Sequence, residues 1–189
     1  MVMPNATARL DRGQWAAAAL DAIAAEGLAA VSVEPLAARL GATKGSFYWH
    51  FANRDALIDA ALQLWEQRGT AAVIAELDGL TEPADRLRRL FDLVFRTDGA
   101  GRVDLALLAH ADEARVAAVL ARVTRTRLAY LAATLAAMGH AREEARRRAL
   151  LSYSAYVGLL HTRRAAGGEV FTSTEERERY LGFLMRHLV

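Results

Sequence analysis

The sequence predicts an all-α protein of about nine helices: a three-helix N-terminal head carrying a helix-turn-helix, then a C-terminal helical bundle. Three observations carry that expectation. Helix formers dominate and runs of β-branched residues are absent. Only three prolines occur in 189 residues, too few to break up long helices. Apolar residues recur at three- and four-residue spacing between glycine stops, the pattern of helices that bury one stripe.

The first helix is expected from Asp11 to Glu26, with Ala16, Ala19, Leu20 and Ile23 on one stripe and Gly27 ending it. Ser32 stands where an N-cap would open the second helix, Val33 to Leu40. Pro35 falls in the first turn of that helix, where a missing N–H costs little. Gly41 stops it, two residues turn, and a third short helix spans Thr43 to Phe51. Phe47 and Phe51 share a face and should pack on Leu20, Leu36 and Leu40. Asn53 caps a long fourth helix, Arg54 to Glu76, which would reach about 33 Å.

Asp78-Gly79 breaks the chain, and Glu82 to Thr97 follows with Leu87, Leu90, Phe91, Val94 and Phe95 inward. A loop at Asp98-Gly99-Ala100-Gly101 precedes helices at Val103 to Ala111, Glu113 to Met138 and Glu143 to Ala165. Gly139 and Gly167-Gly168 are the stops. The last helix runs from Thr174 to His187, with Thr172-Ser173-Thr174-Glu175 resembling a capping box. The expected division is a disordered arm at 1–8, the head at 9–55 and a second domain at 56–189.

Composition narrows the functional classes. With no cysteine there are no disulfides and no Cys-ligated zinc, which suits a reducing cytoplasm. No window approaches the ~18 consecutive apolar residues of a membrane span, and the first residues lack a signal-peptide core. The five histidines, at 50, 110, 140, 161 and 187, are scattered. His110-Ala111-Asp112-Glu113 spans a helix end and reads as a cap with acids near the next helix dipole rather than a metal site. No phosphate-binding glycine loop, serine elbow or zinc-protease motif is present, so no catalytic residue, metal or cofactor is expected.

The formal net charge of +2 does not announce a nucleic-acid binder. The local pattern says more. No acid lies between Pro35 and Arg54, whereas Arg39, Lys44 and His50 do, and Lys44 is the only lysine of the chain. A helix with Phe47 and Phe51 on one face and Thr, Lys, Ser, Tyr and His on the other suits placement in a DNA groove.

These residues carry a family resemblance. Leu36-Ala37-Ala38-Arg39-Leu40-Gly41, Lys44-Gly45-Ser46-Phe47-Tyr48-Trp49-His50-Phe51 and Asn53-Arg54-Asp55-Ala56-Leu57 together resemble the DNA-binding domain of the TetR family of bacterial transcription regulators, over roughly residues 10 to 60. The resemblance implies a double-stranded DNA operator as partner, and phosphate contacts at the Tyr48 and His50 positions. It also implies that the Thr43 to Ser46 turn approaches the groove, and that Arg54 takes the place of a phosphate-binding lysine. The expected interface comprises Ser32, Arg39, Thr43, Lys44, Gly45, Ser46, Tyr48, Trp49, His50 and Arg54, with Trp49 against the domain edge. Gly45 has two readings: close approach of its backbone to a phosphate, or packing alone.

One small head binds weakly, so a homodimer on a two-fold symmetric site is expected. Its interface is placed on the last two helices, at Tyr156, Gly158, Leu159, Leu160, Tyr180, Phe183 and Leu184, against the alternative that these stripes only complete a monomer core. The resemblance further implies a pocket for a hydrophobic small-molecule effector in the second domain. Phe91, Phe95, Leu107, Leu108, His110, Tyr130, Met138 and Tyr153 are its candidate lining. The reading is thus a cytoplasmic, homodimeric, ligand-released repressor. Its competitors are a regulator controlled by a partner protein, or an activator, and a helical enzyme or carrier. A shielded cavity of a few hundred Å³ separates the first from the partner-controlled reading, and a cluster of titratable groups in that cavity would support the enzyme or carrier.

Overall fold

The computed structural model of the chain describes residues 10–96, 101–166 and 170–188, and every regular element among them is helical. The expected arm at 1–8, most of the 98–101 loop and the Gly167-Gly168 stop lie outside the described residues. The chain divides into two compact units, with the boundary between Trp65 and Glu66.

In the head, α1 (Arg12–Glu26) opens on a capping box: Asp11 accepts from the Gln14 N–H at 2.8 Å, and Gln14 Oε1 accepts from the Asp11 N–H at 2.8 Å. A 3-10 turn (Leu28–Ala30) leads to α2 (Val33–Arg39), α3 (Lys44–His50) and α4 (Arg54–Glu66). Ser32 has the extended backbone of an N-cap, but its side chain makes no capping hydrogen bond, contrary to expectation. Trp15, Ile23, Val31, Leu36, Phe47, Leu57 and Leu62 are fully buried. Trp15 meets Phe47 edge-on at 5.5 Å, and Phe47 stacks on Phe51 at 5.6 Å. Such ring pairs add about 0.5–1.5 kcal/mol each beyond area burial and fix the α3 orientation on α1. The compact head extends past the expected 55/56 boundary, because Leu57, Ile58, Ala61, Leu62 and Trp65 of α4 are buried.

The long helix expected from Arg54 to Glu76 is not uniform. After α4, residues Gln67–Ala71 wind as a π turn before α5 (Ala72–Asp78). The second unit then adds α6 (Pro83–Arg96), α7 (Arg102–Leu108), α8 (Ala114–Ala137), α9 (Arg142–Ala165) and α10 (Thr174–Leu188). One apolar cluster gathers Phe91, Phe95, Leu159, Leu181 and Leu184; another gathers Leu87, Leu131, Leu135, Ala145 and Ala149. Gly101 precedes α7 with φ +81°, and a Cβ there would come within 2.4 Å of buried Leu160. The cap of α10 lies one residue later than expected and is not a reciprocal box, since Glu176 reaches back to Thr172 and not to the Ser173 N–H. Ser173 Oγ accepts from the Glu176 N–H at 3.1 Å, while the Glu176 carboxylate accepts from the Thr172 N–H and hydroxyl at 2.9 Å.

Candidate DNA-binding face and ligand cavity

The turn between α2 and α3 is built from backbone hydrogen bonds that only a left-handed residue permits. The Gly41 N–H donates to Ala38 O at 3.2 Å and the Ala42 N–H to Ala37 O at 2.8 Å, with Gly41 at φ +62°. Thr43 then caps α3, its Oγ1 accepting from the Ser46 N–H at 3.2 Å. Phe47 is sealed in the core, so the opposite side of α3 faces outward.

Tyr48 is 62% exposed and Trp49 72% exposed. Trp49 therefore stands on the surface instead of lying against the domain edge. Arg39, Thr43, Lys44 and Gly45 are exposed, and Ser46 and His50 are partly covered. Ser32, Lys44, Tyr48 and Arg54 border one surface groove with Glu34. That acid was missed as a partner because it sits just before the acid-free stretch. Glu34 ion-pairs with Lys44 across the two helices. The hydrogen bond and charge of each partner hold the Glu34 carboxyl below, and the Lys44 ammonium above, its ordinary range. A phosphate reaching Lys44 meets this carboxylate beside it.

Two expected phosphate ligands are engaged within the head. Arg54 Nε donates to Val31 O at 2.6 Å and Nη2 to Leu28 O at 2.7 Å, clamping the turn before α2 to the start of α4. This adds an inward role to the expected outward one, for two of the five guanidinium N–H groups hold backbone carbonyls while Arg54 stays exposed at the groove. His50 Nε2 hydrogen-bonds Leu10 O at 2.8 Å, which requires a proton on that nitrogen. Nδ1 of the neutral ring is then an acceptor and can donate to a phosphate only as imidazolium. Gly45 sits in ordinary helical backbone, and a Cβ there would meet only Thr43 Oγ1 at 3.6 Å.

The second unit holds a cavity of about 90 Å³ among α5, α6, α8, α9 and the π turn. Phe91, Phe95, Tyr130 and Tyr153 line it as expected positions. Leu107, Leu108, His110 and Met138 do not. Leu107 is fully buried elsewhere, Leu108 is 42% exposed, a His110 ring nitrogen bonds Ala106 O at 2.9 Å, and Met138 packs against the Leu131–Leu135 cluster. Tyr156, expected at a dimer interface, lines the cavity instead.

Among the lining residues the sequence did not single out, Arg127 is the charged one. Its Nη1 donates to Asp104 Oδ1 at 2.6 Å, Nε to Thr70 Oγ1 at 3.0 Å and Nη2 to Gly69 O at 3.2 Å. Burial opposes the guanidinium charge most strongly, but the attraction and hydrogen bond of Asp104 together prevail and raise its pKa. The signal was present in the spacing: Val123, Arg127, Leu131 and Leu135 lie four apart, on one stripe. Burial pushes the Tyr156 phenol up, and Asp104 adds to it, so it remains a hydroxyl.

Of the remaining interface candidates, Leu159, Leu160 and Leu184 are buried in the monomer core, which corrects their assignment. Tyr180 is partly covered against Phe171, Phe183 is 48% exposed, and Gly158 faces open space. Leu150 and Leu151 on α9 are more than half exposed and were not anticipated. Among the described residues no group of three or more His, Cys, Asp or Glu is arranged to hold a metal ion, and no helix is long and apolar enough to cross a membrane.

A helix-turn-helix head whose second short helix is exposed, joined to an all-helical unit with an internal cavity, defines the class of one-chain DNA-binding regulators. Residues 16–61 match the family model of bacterial regulatory proteins of the tetR family, so the head is similar to the DNA-binding domain of those regulators. Solved structures share the whole fold. A transcriptional regulator from Rhodococcus sp. Rha1 is 23% identical with a TM-score of 0.75, the match covering 95% of this chain and 96% of that one. A TetR transcriptional regulator from Legionella pneumophila is 15% identical with a TM-score of 0.79, over 97% of this chain and 100% of that one. A protein from Saccharomonospora viridis, solved in complex with choline, is 18% identical with a TM-score of 0.77, over 93% and 95%. No curated protein matches the chain.

Proposed function

We propose that the protein is a cytoplasmic, ligand-responsive transcriptional repressor that binds a palindromic operator as a homodimer and leaves it when a small molecule occupies the cavity of the second unit. The observation that carries the reading is the exposed row of α3, Lys44, Tyr48 and Trp49, on a helix whose other side is anchored by Phe47. Thr43, Ser46 and Arg39 flank this row. Base edges are read from Lys44 and Ser46, and phosphates are bound by Tyr48 and Lys44. The dimer forms through the exposed side of α9 and α10, where Leu150, Leu151, Phe183 and the open Gly158 offer apolar and close-packing surface.

The effector must bind unequally to the dimer shape that matches half-sites ~34–36 Å apart and to a shape that does not. A coupling of about 1–3 kcal/mol gives a 5- to 150-fold loss of affinity. One observation favours a second reading, a regulator controlled by a partner protein: the cavity holds about 90 Å³, less than the few hundred Å³ of ordinary ligand pockets. The choline held by the relative from Saccharomonospora viridis is small, which supports the first.

Fluorescence anisotropy with DNA from upstream of the chain's own gene tests the proposal. Nanomolar binding weakened by Tyr48→Phe, and release by one member of a small-compound panel, support it. Binding equal in parent and Tyr48→Phe overturns the site. Binding that no compound reverses favours the partner-controlled reading. Sedimentation tests the dimer: Leu150→Arg should yield monomer, and an unchanged dimer moves the interface elsewhere.

A further inference from the structure

The cavity wall is mostly apolar, with Val73, Ile74, Leu77, Leu90, Phe91, Val94 and Leu131 making much of it. N–H or O–H donors come from Arg127, Thr70, Tyr130, Ser152, Tyr153 and Tyr156, and Arg127 and Thr70 are hydrogen-bonded to each other. Tyr153 and Thr124 share a hydroxyl hydrogen bond of 3.3 Å, and Tyr156 keeps its proton. The single charged group on the wall is already neutralised: Arg127 and Asp104 are 15% and 14% exposed and 2.6 Å apart.

That neutrality decides what fits. A carboxylate would bring a second buried anion to one guanidinium, with a desolvation penalty that a shared cation repays poorly. A cation would face the guanidinium across an aromatic box. An uncharged molecule adds no charge, buries its carbon skeleton against the apolar wall, and gains a charge-assisted hydrogen bond from a single acceptor oxygen. Size limits it further, since about 90 Å³ is below the few hundred Å³ of ordinary ligand pockets.

We infer that the cavity selects a small, uncharged, largely apolar molecule carrying one carbonyl oxygen, which the Arg127 guanidinium holds. The inference rests on the reading of this cavity as the effector site. It also names the regulated element. The same guanidinium grips the π turn through Gly69 O and Thr70 Oγ1, and Thr70 is itself on the cavity wall. A carbonyl that draws Arg127 toward the cavity competes with both acceptors. The π turn, where helical hydrogen bonding is already displaced by one residue, then loosens.

The test uses the full chain without DNA, so its outcome is independent of operator binding. Cyclopentanone, cyclopentane, isobutyrate and choline are titrated by ligand-observed NMR, and amide exchange is followed at residues 69–71. Cyclopentanone should bind at least tenfold more tightly than the other three and speed exchange in the π turn at least threefold. Arg127→Met with Asp104→Asn, which removes cation and counter-charge together, should erase the preference of ketone over cyclopentane. Arg127→Lys, which keeps the charge and loses the fork, should reduce that preference in a folded protein. Tighter binding of isobutyrate or choline, no binding by any probe, a ketone preference that survives in both variants, or unchanged exchange at 69–71 overturns the inference. Failure here leaves DNA binding standing, whereas loss of DNA binding alone leaves the cavity chemistry intact.

Discussion

Removing the ammonium of Lys44 should flatten the salt dependence of operator binding by a calculable amount. Each phosphate neutralised on B-DNA contributes a slope of about 0.9 in log affinity against log salt. Lys44 is exposed on the face of α3 and, in a dimer, occurs once per head. Lys44→Ala should therefore reduce the slope by about 1.8, two phosphates at ~0.9 each. Between 50 and 200 mM salt, a fourfold change, the defect of the variant relative to the parent should shrink about twelvefold. The Glu34 carboxylate adds an internal control. It competes with a phosphate for Lys44 and, as an anion, repels that phosphate. Glu34→Gln should thus raise affinity at every salt concentration without flattening the slope. Anisotropy titrations at five or more salt concentrations measure both. A parental slope in Lys44→Ala, or weaker binding by Glu34→Gln, refutes the placement of the DNA phosphate.

Three further outcomes follow from local geometry. Gly101→Ala combines a left-handed backbone with a Cβ 2.4 Å from Leu160, so strain and overpacking together should cost about 2–5 kcal/mol in urea melts; a cost below about 0.5 kcal/mol would mean the α7 entrance re-forms freely. Arg54→Gln removes both the charge and the fork on Leu28 O and Val31 O, so it should lower the melting temperature of the protein while leaving the operator salt slope unchanged; a flattened slope would put a DNA phosphate on Arg54. Protonating Glu176, whose carboxyl is held below its ordinary range chiefly by the Thr172 N–H and then its hydroxyl, should release the α10 cap; the contribution is present above the unfolded carboxylate pKa and lost as pH falls through the lower folded value, and the Thr172 amide resonance by NMR reports it, a pH-independent shift refuting the cap.

How far the sequence disclosed the site depends on the range of the interactions. The α2–α3 turn was legible because Gly41, Thr43 and the Phe47–Phe51 pair act within a few residues of one another. The Arg54 clamp was not legible, because its carbonyl partners lie 23 and 26 residues away and nothing local announces them. The stripes of α9 show the same limit. Tyr156 and Leu159 point into the unit, whereas Leu150 and Leu151 point out, and an alanine-rich helix with apolar residues around much of its circumference does not announce its inner face. The π turn was invisible, since Gln67-Arg68-Gly69-Thr70-Ala71 reads as ordinary helix until Arg127, 57 residues on, binds Thr70.

The hydrogen bond between the His50 ring and the Leu10 carbonyl ties the last turn of the groove-facing helix to the backbone just ahead of the first. Trimming the chain to begin at Asp11 would delete that acceptor and let the imidazole swing, although no residue of the turn itself had changed. The orientation of the imidazole is thereby set partly from outside the motif, and tags or cleavage scars joined close to Leu10 become variables in any binding measurement.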